Sequence, residues 1–397
     1  MNNYWIISQL FFPDDTSTGY VMTKIAEALT SDGKVNVICG SSDYQSKNLN
    51  SRERLNESIN LLRIKTPRLN KNNLLFRIFV FIYFSISVFV KILFKVKKSD
   101  TVVLVTNPPI LLIIIGVLKK VVRFKLVIIL QDIFPENAVA SGILDKNSIS
   151  YRVLLKLMNL GYKNADKLIA CGSDMVQHFV EKDIEANRLF VIPNWADHKL
   201  IIPDSEINRN EYFKLNLDDK IVLQFAGNIG RVQGLENFIK LFGKCKNNKL
   251  VLVIIGEGAN KKLLEDFVQV NNLDNVLFFN SKPRNEQSKF LNSCDIGLVT
   301  LCNGMYGLGV PSKAYNIMSA GKPILYIGDK NSEIDNYIKE NNIGWSFDWS
   351  EESEILDFLN NVRHRDNFIE IGKNARSFVL NNFTQEIVLN QYKKILN

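Results

Sequence analysis

The sequence predicts an α/β protein made of two Rossmann-like, doubly wound domains that face a central cleft. The chain has 397 residues, more than the roughly 100 to 200 residues that one hydrophobic core usually organises. Short apolar runs of strand length alternate with amphipathic helical segments along the whole chain. This alternation is typical of parallel sheets that are covered by helices on both faces.

The predicted elements begin at the N-terminus. Residues 4–10 form a short buried strand, residues 17–19 a loop and helix entry, and residues 21–29 an amphipathic helix. Further strands are predicted at residues 35–39, 101–105, 126–130, 167–171, 189–192, 221–227, 250–256, 296–301 and 323–327. Ligands of such sheets bind beyond the carboxyl ends of the strands, so the loops that follow the strands are the candidate sites.

A polar stretch at residues 204–211 separates the two groups of strands. Polar linkers commonly mark domain boundaries, and we place the boundary near residue 205. The N-terminal domain is then expected over residues 1–204 and the C-terminal domain over residues 205–380. Residues 381–397 form a final helix, for which packing back on the N-terminal domain is one option.

Charge and cysteine content limit the classes of partner. Lys and Arg number 49 against 41 Asp and Glu, a net charge of +8, which favours nucleotides, anionic lipids or nucleic acids as partners. The five cysteines are scattered without a Cys-x-x-Cys pair, which indicates neither a zinc site nor a disulfide framework. The N-terminus becomes acidic before any long apolar run, so we expect no secretory signal and a cytoplasmic chain.

The most apolar segment spans residues 74–98. Its residues 78–90 are uncharged, but a spanning helix needs about 20 apolar residues. The segment contains five phenylalanines and ends in a basic group, Lys91, Lys95, Lys97 and Lys98. This pattern is typical of a helix at a membrane interface, and a buried core helix and a spanning helix stay open as alternatives.

A second segment, residues 110–122, is apolar at first and then becomes basic. Basic residues lie at its end and directly after it: Lys119, Lys120, Arg123 and Lys125. Three more basic residues precede the first segment: Lys65, Arg68 and Lys71. We expect the two segments to face the anionic inner leaflet of a membrane. Because the basic residues are mixed with phenylalanine and aliphatic residues, nucleic-acid binding is not expected.

Three loops of the C-terminal half combine glycine with basic or polar residues directly after a predicted strand. Glycine lets the backbone approach a ligand closely, and helix N-termini and basic side chains attract phosphate. Ordinary strand–helix turns with surface cations are the alternative, since glycine loops are a weak signal. In chain order the candidates are Gly227, Asn228, Gly230, Arg231 and Gly234; Gly256, Glu257 and Gly258, followed by Asn280 and Lys282; and Pro311, Ser312 and Lys313.

These loops occur together with QDIFPENAVASG, IPNWAD, FAGNIGRVQGLE and PSKAYNIMSAGKPIL. In this order the motifs resemble glycosyltransferase family 4, over nearly the whole chain. They look closest to bacterial surface-polysaccharide members that transfer N-acetyl-L-fucosamine or related sugars. The resemblance implies a GT-B fold, retention of anomeric configuration and no metal requirement.

The resemblance also implies roles for single residues. Gly19 would lie near the donor phosphates, Arg231 and Lys313 would neutralise the diphosphate leaving group, and residues 280–283 would flank the uracil. Two positions depart from the family pattern. Asn316 stands where the family usually has a glutamate that binds ribose hydroxyls, and Gln233 stands where many members have a lysine, so a weaker ribose contact is expected.

Asp132 and Glu136, in LQDIFPEN, are the candidate carboxylates for deprotonating the acceptor hydroxyl, because they follow the strand at residues 126–130. Many family members have a histidine where this chain has Gln131. Asp132 is expected as the base or as a ligand of a sugar hydroxyl; a helix cap or structural role is the alternative. Asn194 is expected to line the cleft, with a turn role as the alternative.

The three histidines, His178, His198 and His364, are interpreted as structural or surface residues, and their spacing indicates no metal cluster. The expected activity is transfer of an N-acetylated amino- or deoxyamino-sugar from a UDP-sugar to a polyprenyl-diphosphate-linked saccharide. Capsule, O-antigen or another surface polysaccharide would be the product. A nucleotide-sugar epimerase of the same fold and a non-catalytic, nucleotide-binding membrane scaffold stay open as alternatives.

Overall fold

The computed structural model describes residues 2–14, 16–41, 54–67, 74–363 and 366–397. Arg68, Lys71 and His364, which the sequence singled out, lie outside these ranges. The chain forms two compact units. The first contains Met1–Pro193, Gly307–Gly309 and Val388–Asn397, and the second contains Asn194–Tyr306 and Val310–Ile387.

Within the described residues, the first unit has a seven-stranded parallel sheet in the order β3-β2-β1-β4-β5-β6-β7. The order reverses direction between β1 and β4, which is the topological switch point of a doubly wound sheet. The strands are β1 (Asn2–Ser8), β2 (Gly33–Gly40), β3 (Ile59–Ile64), β4 (Thr101–Val105), β5 (Lys125–Leu130), β6 (Lys167–Ala170) and β7 (Leu189–Val191).

Helices connect these strands and pack on the sheet. They are α1 (Ser17–Leu29), α2 (Leu74–Lys95), α3 (Pro109–Val122), α4 (Glu136–Ala140), α5 (Ile149–Lys163) and α6 (Ser173–Val180). Helix α1 begins where Thr16 Oγ1 accepts a hydrogen bond from the Gly19 amide, as a side-chain N-cap does. The central strands are continuous apolar runs because both of their faces are covered.

Helix α2 lies in the segment for which the sequence left three possibilities. Phe84, Val88 and Ile92, spaced four residues apart, are completely buried in the first unit, while the rest of the helix surface is largely exposed. Among the described residues one 18-residue segment, Ile78–Lys95, is long and apolar enough to cross a membrane. A core helix of a soluble protein meets the same criteria of length and composition.

The second unit has a six-stranded parallel sheet in the order β10-β9-β8-β11-β12-β13, with its switch point between β8 and β11. The strands are β8 (Ile221–Ala226), β9 (Leu250–Ile255), β10 (Val276–Phe279), β11 (Ile296–Thr300), β12 (Ile324–Ile327) and β13 (Gly344–Phe347). The prediction of two doubly wound α/β units is therefore confirmed.

The helices of this part of the chain cover both faces of the second sheet. They are α7 (Arg209–Phe213), α8 (Leu235–Phe242), α9 (Lys261–Val270), α10 (Gln287–Asn292), α11 (Lys313–Ser319), α12 (Glu333–Asn341), α13 (Glu352–Asn361) and α14 (Asp366–Asn382). The last helix, α15 (Gln385–Leu396), lies mostly in the first unit. On one face Phe225, Leu252 and Ile254 pack with Phe238 and Phe242 of α8. This arrangement fixes the carboxyl ends of β8 and β9.

The boundary between the units lies at Pro193/Asn194, before the expected position near residue 205. The segment that follows Pro193 is tied to the second unit by backbone groups: the Ala196 amide donates to the Phe383 carbonyl, and the Ile201 carbonyl accepts from Ser319. The polar stretch around residue 205 is therefore a surface connection inside the second unit. At the other end of the chain, Val388–Asn397 belong to the first unit.

Candidate active site

The candidate donor site lies at the carboxyl edge of the second sheet. Strand β8 pairs with β11 across the switch point, so the loops that follow these two strands emerge side by side. The glycine loop after β8 and the loop that leads to α11 contain most of the residues the sequence predicted. Such a position is where doubly wound sheets bind their ligands.

Glycines bring the loops after β8 and β9 into direct contact. A Cβ at Gly256 would lie 1.9 Å from the Gly227 carbonyl oxygen, and a Cβ at Gly258 would lie 2.3 Å from the Ile229 carbonyl oxygen. Both Gly227 and Gly256 have positive φ, +142° and +157°. Gly256 and Gly258 are thus required by loop packing, whereas the Cβ position of Gly227 faces the Lys313 side chain, whose Nζ would lie 3.8 Å away.

The rest of the first loop leads into α8. A Cβ at Gly230 would lie 2.9 Å from Nδ2 of the Asn228 side chain. Gly234 stands at the N-cap of α8 with φ +65°, where a Cβ would come 3.0 Å from the Trp349 ring. Arg231, in the turn between these glycines, is exposed, and in the described part of the chain no acceptor binds its guanidinium.

Lys313, the first residue of α11, points its ammonium at the glycine loop. Its Nζ lies 2.8 Å from Gln233 Oε1 and 3.5 Å from the centroid of the Phe225 ring. Removal from water lowers the pKa of Lys313 well below its usual value. Across the described ranges no carboxylate pairs with this ammonium. The structure therefore brings Gly227, Gln233 and Lys313 together.

Lys261, which the sequence did not single out, links two of the predicted residues. Its Nζ lies 2.8 Å from Glu257 Oε1 and 2.9 Å from Asn280 Oδ1. Lys282 follows nearby in sequence and is exposed, with its Nζ 5.6 Å from the Tyr212 ring centroid. Asn280 is therefore held by a lysine, and Lys282 is not part of that group.

Asn316, which stands where the family usually has a glutamate, belongs to a small cluster of polar side chains. Asn316 Oδ1 lies 3.4 Å from the Asp197 amide nitrogen, and Asp197 Oδ2 lies 3.3 Å from Arg284 Nη2. Asn194 is buried at the start of the same unit, and its amide nitrogen has no hydrogen-bond partner among the described residues. Asn194 thus belongs to the second unit, not to the end of the first as expected. Pro311 and Ser312 precede Lys313 and are half-buried.

Asp132 directly follows the turn after β5 in the first unit. Thr106, which follows β4, accepts hydrogen bonds from the backbone amides of Gln131 and Asp132, each at 3.4 Å. The Asp132 residue is open to solvent on one side, but the protein atoms around its carboxyl desolvate it and raise its pKa to about 6. A Cβ at Gly309 would lie 3.4 Å from Asp132 Oδ1, so this glycine keeps the carboxylate uncovered.

Glu136 has a different environment, although it is only four residues further along the chain. It accepts hydrogen bonds from the ammonium of Lys182 and from His178 Nε2, the latter at 3.3 Å. Burial alone would raise its pKa, but these two partners outweigh burial and lower the pKa to about 2. His178 therefore has a structural role, as expected, and Glu136 is held as a paired anion.

Gly19 lies at the start of α1, in the loop after β1. A Cβ at this position would lie 2.9 Å from the Asp14 carbonyl oxygen, and its amide is bound by Thr16. His198, in the second unit, lies 3.7 Å from Glu386 Oε2. No group of three or more His, Cys, Asp or Glu residues that could hold a metal ion occurs in the described ranges.

Sequence reasoning missed Lys261, Thr106 and Lys182. Each contacts a predicted residue from another segment of the chain, Lys261 contacting Asn280, Thr106 contacting Asp132 and Lys182 contacting Glu136, so no local motif marks these contacts. Two glycines, at 307 and 309, lie just before the candidate residues Pro311, Ser312 and Lys313 in the sequence. Gly307–Gly309 pack with the first unit, where the Ile133 amide donates to the Leu308 carbonyl.

Comparisons with known proteins address the family. A model of the family "Glycosyl transferases group 1" matches residues 208–375. The chain is 33% identical over 396 residues to the probable glycosyltransferase WbjE of Pseudomonas aeruginosa, which covers 99% of this chain and 97% of WbjE. It is 28% identical over 179 residues to the putative colanic acid biosynthesis glycosyl transferase WcaI of Escherichia coli K12, which covers 44% of this chain and 43% of WcaI.

Among solved structures, HepE of Anabaena in complex with UDP-glucose superposes with a TM-score of 0.74 at 16% identity, covering 100% of this chain and 99% of HepE. At this identity the likeness shows the fold alone, which is the GT-B fold of two Rossmann-like domains. The relationship to WbjE spans both units and reaches far beyond one shared module. The chain therefore belongs to the group 1 glycosyl transferases and has their GT-B fold.

Proposed function

We propose that this protein transfers a sugar from a UDP-sugar to a polyprenyl-diphosphate-linked saccharide during synthesis of a bacterial surface polysaccharide. The donor sugar is an N-acetylated amino- or deoxyamino-sugar, as the resemblance to N-acetyl-L-fucosamine transferases implies. The name of WcaI, with its role in colanic acid biosynthesis, supports the polysaccharide product. The HepE complex with UDP-glucose supports a UDP-linked donor.

The environment of Lys313 carries this proposal. Its ammonium is desolvated between an aromatic ring and a neutral amide, which favours the uncharged form. A diphosphate beside it would supply the missing negative charge and restore the usual pKa. Arg231, exposed on the adjacent turn, adds a second cation with planar geometry suited to phosphate oxygens.

The reaction breaks the bond between the anomeric carbon and the UDP oxygen, and the acceptor hydroxyl oxygen forms the new bond. Negative charge develops on the departing diphosphate, where Lys313 and Arg231 stabilise it. Asp132 takes the proton of the acceptor hydroxyl; if Asp132 instead holds a hydroxyl of the sugar, an oxygen of the departing diphosphate takes that proton. Retention of anomeric configuration and independence of metal ions are part of the proposal, and both rest on the family resemblance.

The acceptor is a lipid, so we place the enzyme at the cytoplasmic face of the membrane. Helix α2 has one face buried through Phe84, Val88 and Ile92 and the other face open. A spanning position would remove these three side chains from the core and uncover the apolar surface of the first unit that they pack against. The interfacial alternative keeps them in place, and it leaves α2 and the exposed end of α3 available to the headgroup region.

The test is a transfer assay with detergent-solubilised protein, a panel of UDP-sugars and a lipid-diphosphate-linked amino-sugar acceptor. A gain of one sugar in lipid mass, with matching UDP release, is expected. NMR of the product determines the anomeric configuration, and addition of EDTA tests metal dependence. Interconversion of the UDP-sugar without acceptor would instead indicate an epimerase, and UDP binding without turnover would indicate a scaffold.

Lys313→Met is expected to lower kcat by about 10²- to 10³-fold, because removal of one charge-stabilising donor typically has this effect. Lys289→Met, at an exposed position of α10, is the matched control and should leave kcat unchanged. Equal activity of the two variants would remove Lys313 from the mechanism.

A further inference from the structure

Helix α5 has an exposed apolar face outside both segments that the sequence marked as membrane-facing. Ile149, Val153, Leu157 and Leu160 are 79%, 51%, 39% and 40% exposed. Their spacing of three or four residues places them on one side of the helix. The opposite side is buried through Met158 and Tyr162. Helix α5 is therefore apolar both on the side that packs on the sheet and on the side that faces solvent.

Helix α5 lies directly against α3, and α3 lies against α2. A Cβ at Gly116 of α3 would lie only 3.2 Å from Gly161 Cα of α5, so two glycines allow this close approach. The connections β3–α2–β4, β4–α3–β5 and β5–α5–β6 all advance in the same direction across the sheet. Right-handed crossovers therefore place the three helices on the same face of the sheet.

The outward surface of these helices is called the apolar layer here. Besides the α5 residues, the apolar layer includes exposed residues of two further helices. They are Val117 and Val121 on α3, and Phe79, Ile86, Val90 and Phe94 on α2. Soluble monomers rarely leave a contiguous apolar surface of this kind open, and such surfaces usually mark a protein or membrane contact.

The charges of the three helices are of one sign. Their sequences contain eight basic residues and no Asp or Glu, although the chain as a whole has 41 acidic residues. The basic residues are Arg77, Lys91, Lys95, Lys119, Lys120, Arg152, Lys156 and Lys163. Lys119 is paired with Asp166, whereas Arg152, Lys156, Lys120 and Lys95 are exposed.

We propose that α5 is a third membrane-contact helix, and that the apolar layer as a whole docks on a bilayer surface containing anionic lipid. Apolar side chains enter the boundary of the headgroups while lysine and arginine bind lipid phosphates. A second copy of the chain fits the layer poorly, because a symmetric contact would bring two sets of like charges together. The proposal rests on the membrane association proposed above and not on the transfer reaction.

The experiment is flotation of the full chain with vesicles of phosphatidylcholine, with and without phosphatidylglycerol. The chain should bind the anionic vesicles preferentially, and added salt should weaken binding. The variant Ile149→Gln/Val153→Gln/Leu157→Gln should lower partitioning onto the anionic vesicles by at least about tenfold. Arg152→Gln/Lys156→Gln should reduce the preference for phosphatidylglycerol.

The matched control is Leu263→Gln/Val270→Gln on α9, which makes the same chemical change at exposed positions of the second unit. Circular dichroism and thermal unfolding verify that every variant folds. Unchanged flotation of the α5 variant, or equal binding to neutral and anionic vesicles, would overturn the proposal. So would a lipid-free dimer that the α5 variant dissociates in sedimentation, because the second copy would then be the occupant.

Transfer to the acceptor in detergent micelles separates this proposal from the proposed function. The α5 variant should retain the turnover of the unchanged chain there, because it alters no residue of the candidate active site. If neither the unchanged chain nor the variants transfer sugar, the proposed transfer reaction is wrong. The flotation result still shows whether α5 docks on the membrane.

Discussion

Asp132 and Glu136 are four residues apart in the chain, and their environments move their pKa values in opposite directions. Desolvation without a cation raises the pKa of Asp132 to about 6, whereas Lys182 and His178 lower that of Glu136 to about 2. Separated pKa values in a pair of carboxyl groups indicate separated roles. Asp132 is the group suited to exchange protons near neutral pH, and Glu136 is suited to a fixed ion pair.

If Asp132 acts as the base, it must be ionised, so kcat/KM should rise as the pH increases through about 6 and level off above it. Asp132→Asn should lower kcat by about 10²- to 10⁴-fold and abolish this rise. Asp145→Asn, at an exposed loop position, is the control. If Asp132→Asn loses activity but keeps the same pH midpoint, Asp132 holds a sugar hydroxyl and another group titrates.

Local sequence predicted the residues that follow strands, but not the partners that position them. Arg231 and Lys313 stand next to glycine loops, where their chemistry is visible in the sequence itself. The contact of Lys313 with Gln233 and that of Lys261 with Asn280 join different loops, and only the assembled sheet brings them together. The pKa values of Asp132 and Glu136 could not be predicted for the same reason.

At the scale of elements, the central strands were predictable and three edge strands were not. Strands such as β4 and β9 are buried along their entire length and appear as continuous apolar runs. The edge strands β3, β10 and β13 are only partly buried, and their sequences, INLLRI, VLFF and GWSF, show no clear strand period. An edge strand is defined mainly by its neighbour's backbone, which local sequence does not record.

The crossing of α3 and α5 depends on Gly161. A Cβ there would lie 2.5 Å from Leu112 Cδ2 and 3.1 Å from the Leu112 carbonyl oxygen. Gly161→Val should therefore separate the helices and lower the free energy of unfolding by about 1 to 3 kcal/mol, as overpacking usually does. Urea denaturation measures the change, with Lys156→Ala on the exposed side of α5 as control. Stability equal to that of the control would mean that the crossing tolerates a side chain.

At the scale of the whole molecule, the first unit is completed by the end of the chain. Val388, Tyr392 and Leu396 of α15 are buried. Within the same unit, the Asn397 side chain binds the Tyr4 hydroxyl, and Lys393 Nζ lies 3.7 Å from Asp32. The two-domain organisation was predictable from length and alternation, but the partner of this last helix was not, since its amphipathic pattern fits either unit.

Tyr392→Ala should destabilise the first unit by about 3 to 5 kcal/mol, the usual cost of removing a large buried aromatic side chain. Hydrogen exchange followed by mass spectrometry should show faster exchange in β1, β4 and β5, with β8 and β9 less affected. Lys394→Ala, at an exposed position of the same helix, is the control. An equal increase in the exchange rate in the strands of both units would show that α15 stabilises the two units equally.

The position of α15 also has a consequence for biosynthesis. Residues 388–397 leave the ribosome after every residue of the second unit, so the nascent first unit lacks its last helix throughout translation of that unit. Until then, the apolar surface that Val388, Tyr392 and Leu396 later cover is accessible to chaperones or to aggregation. We therefore expect the second unit, although it is encoded later, to complete its native core first.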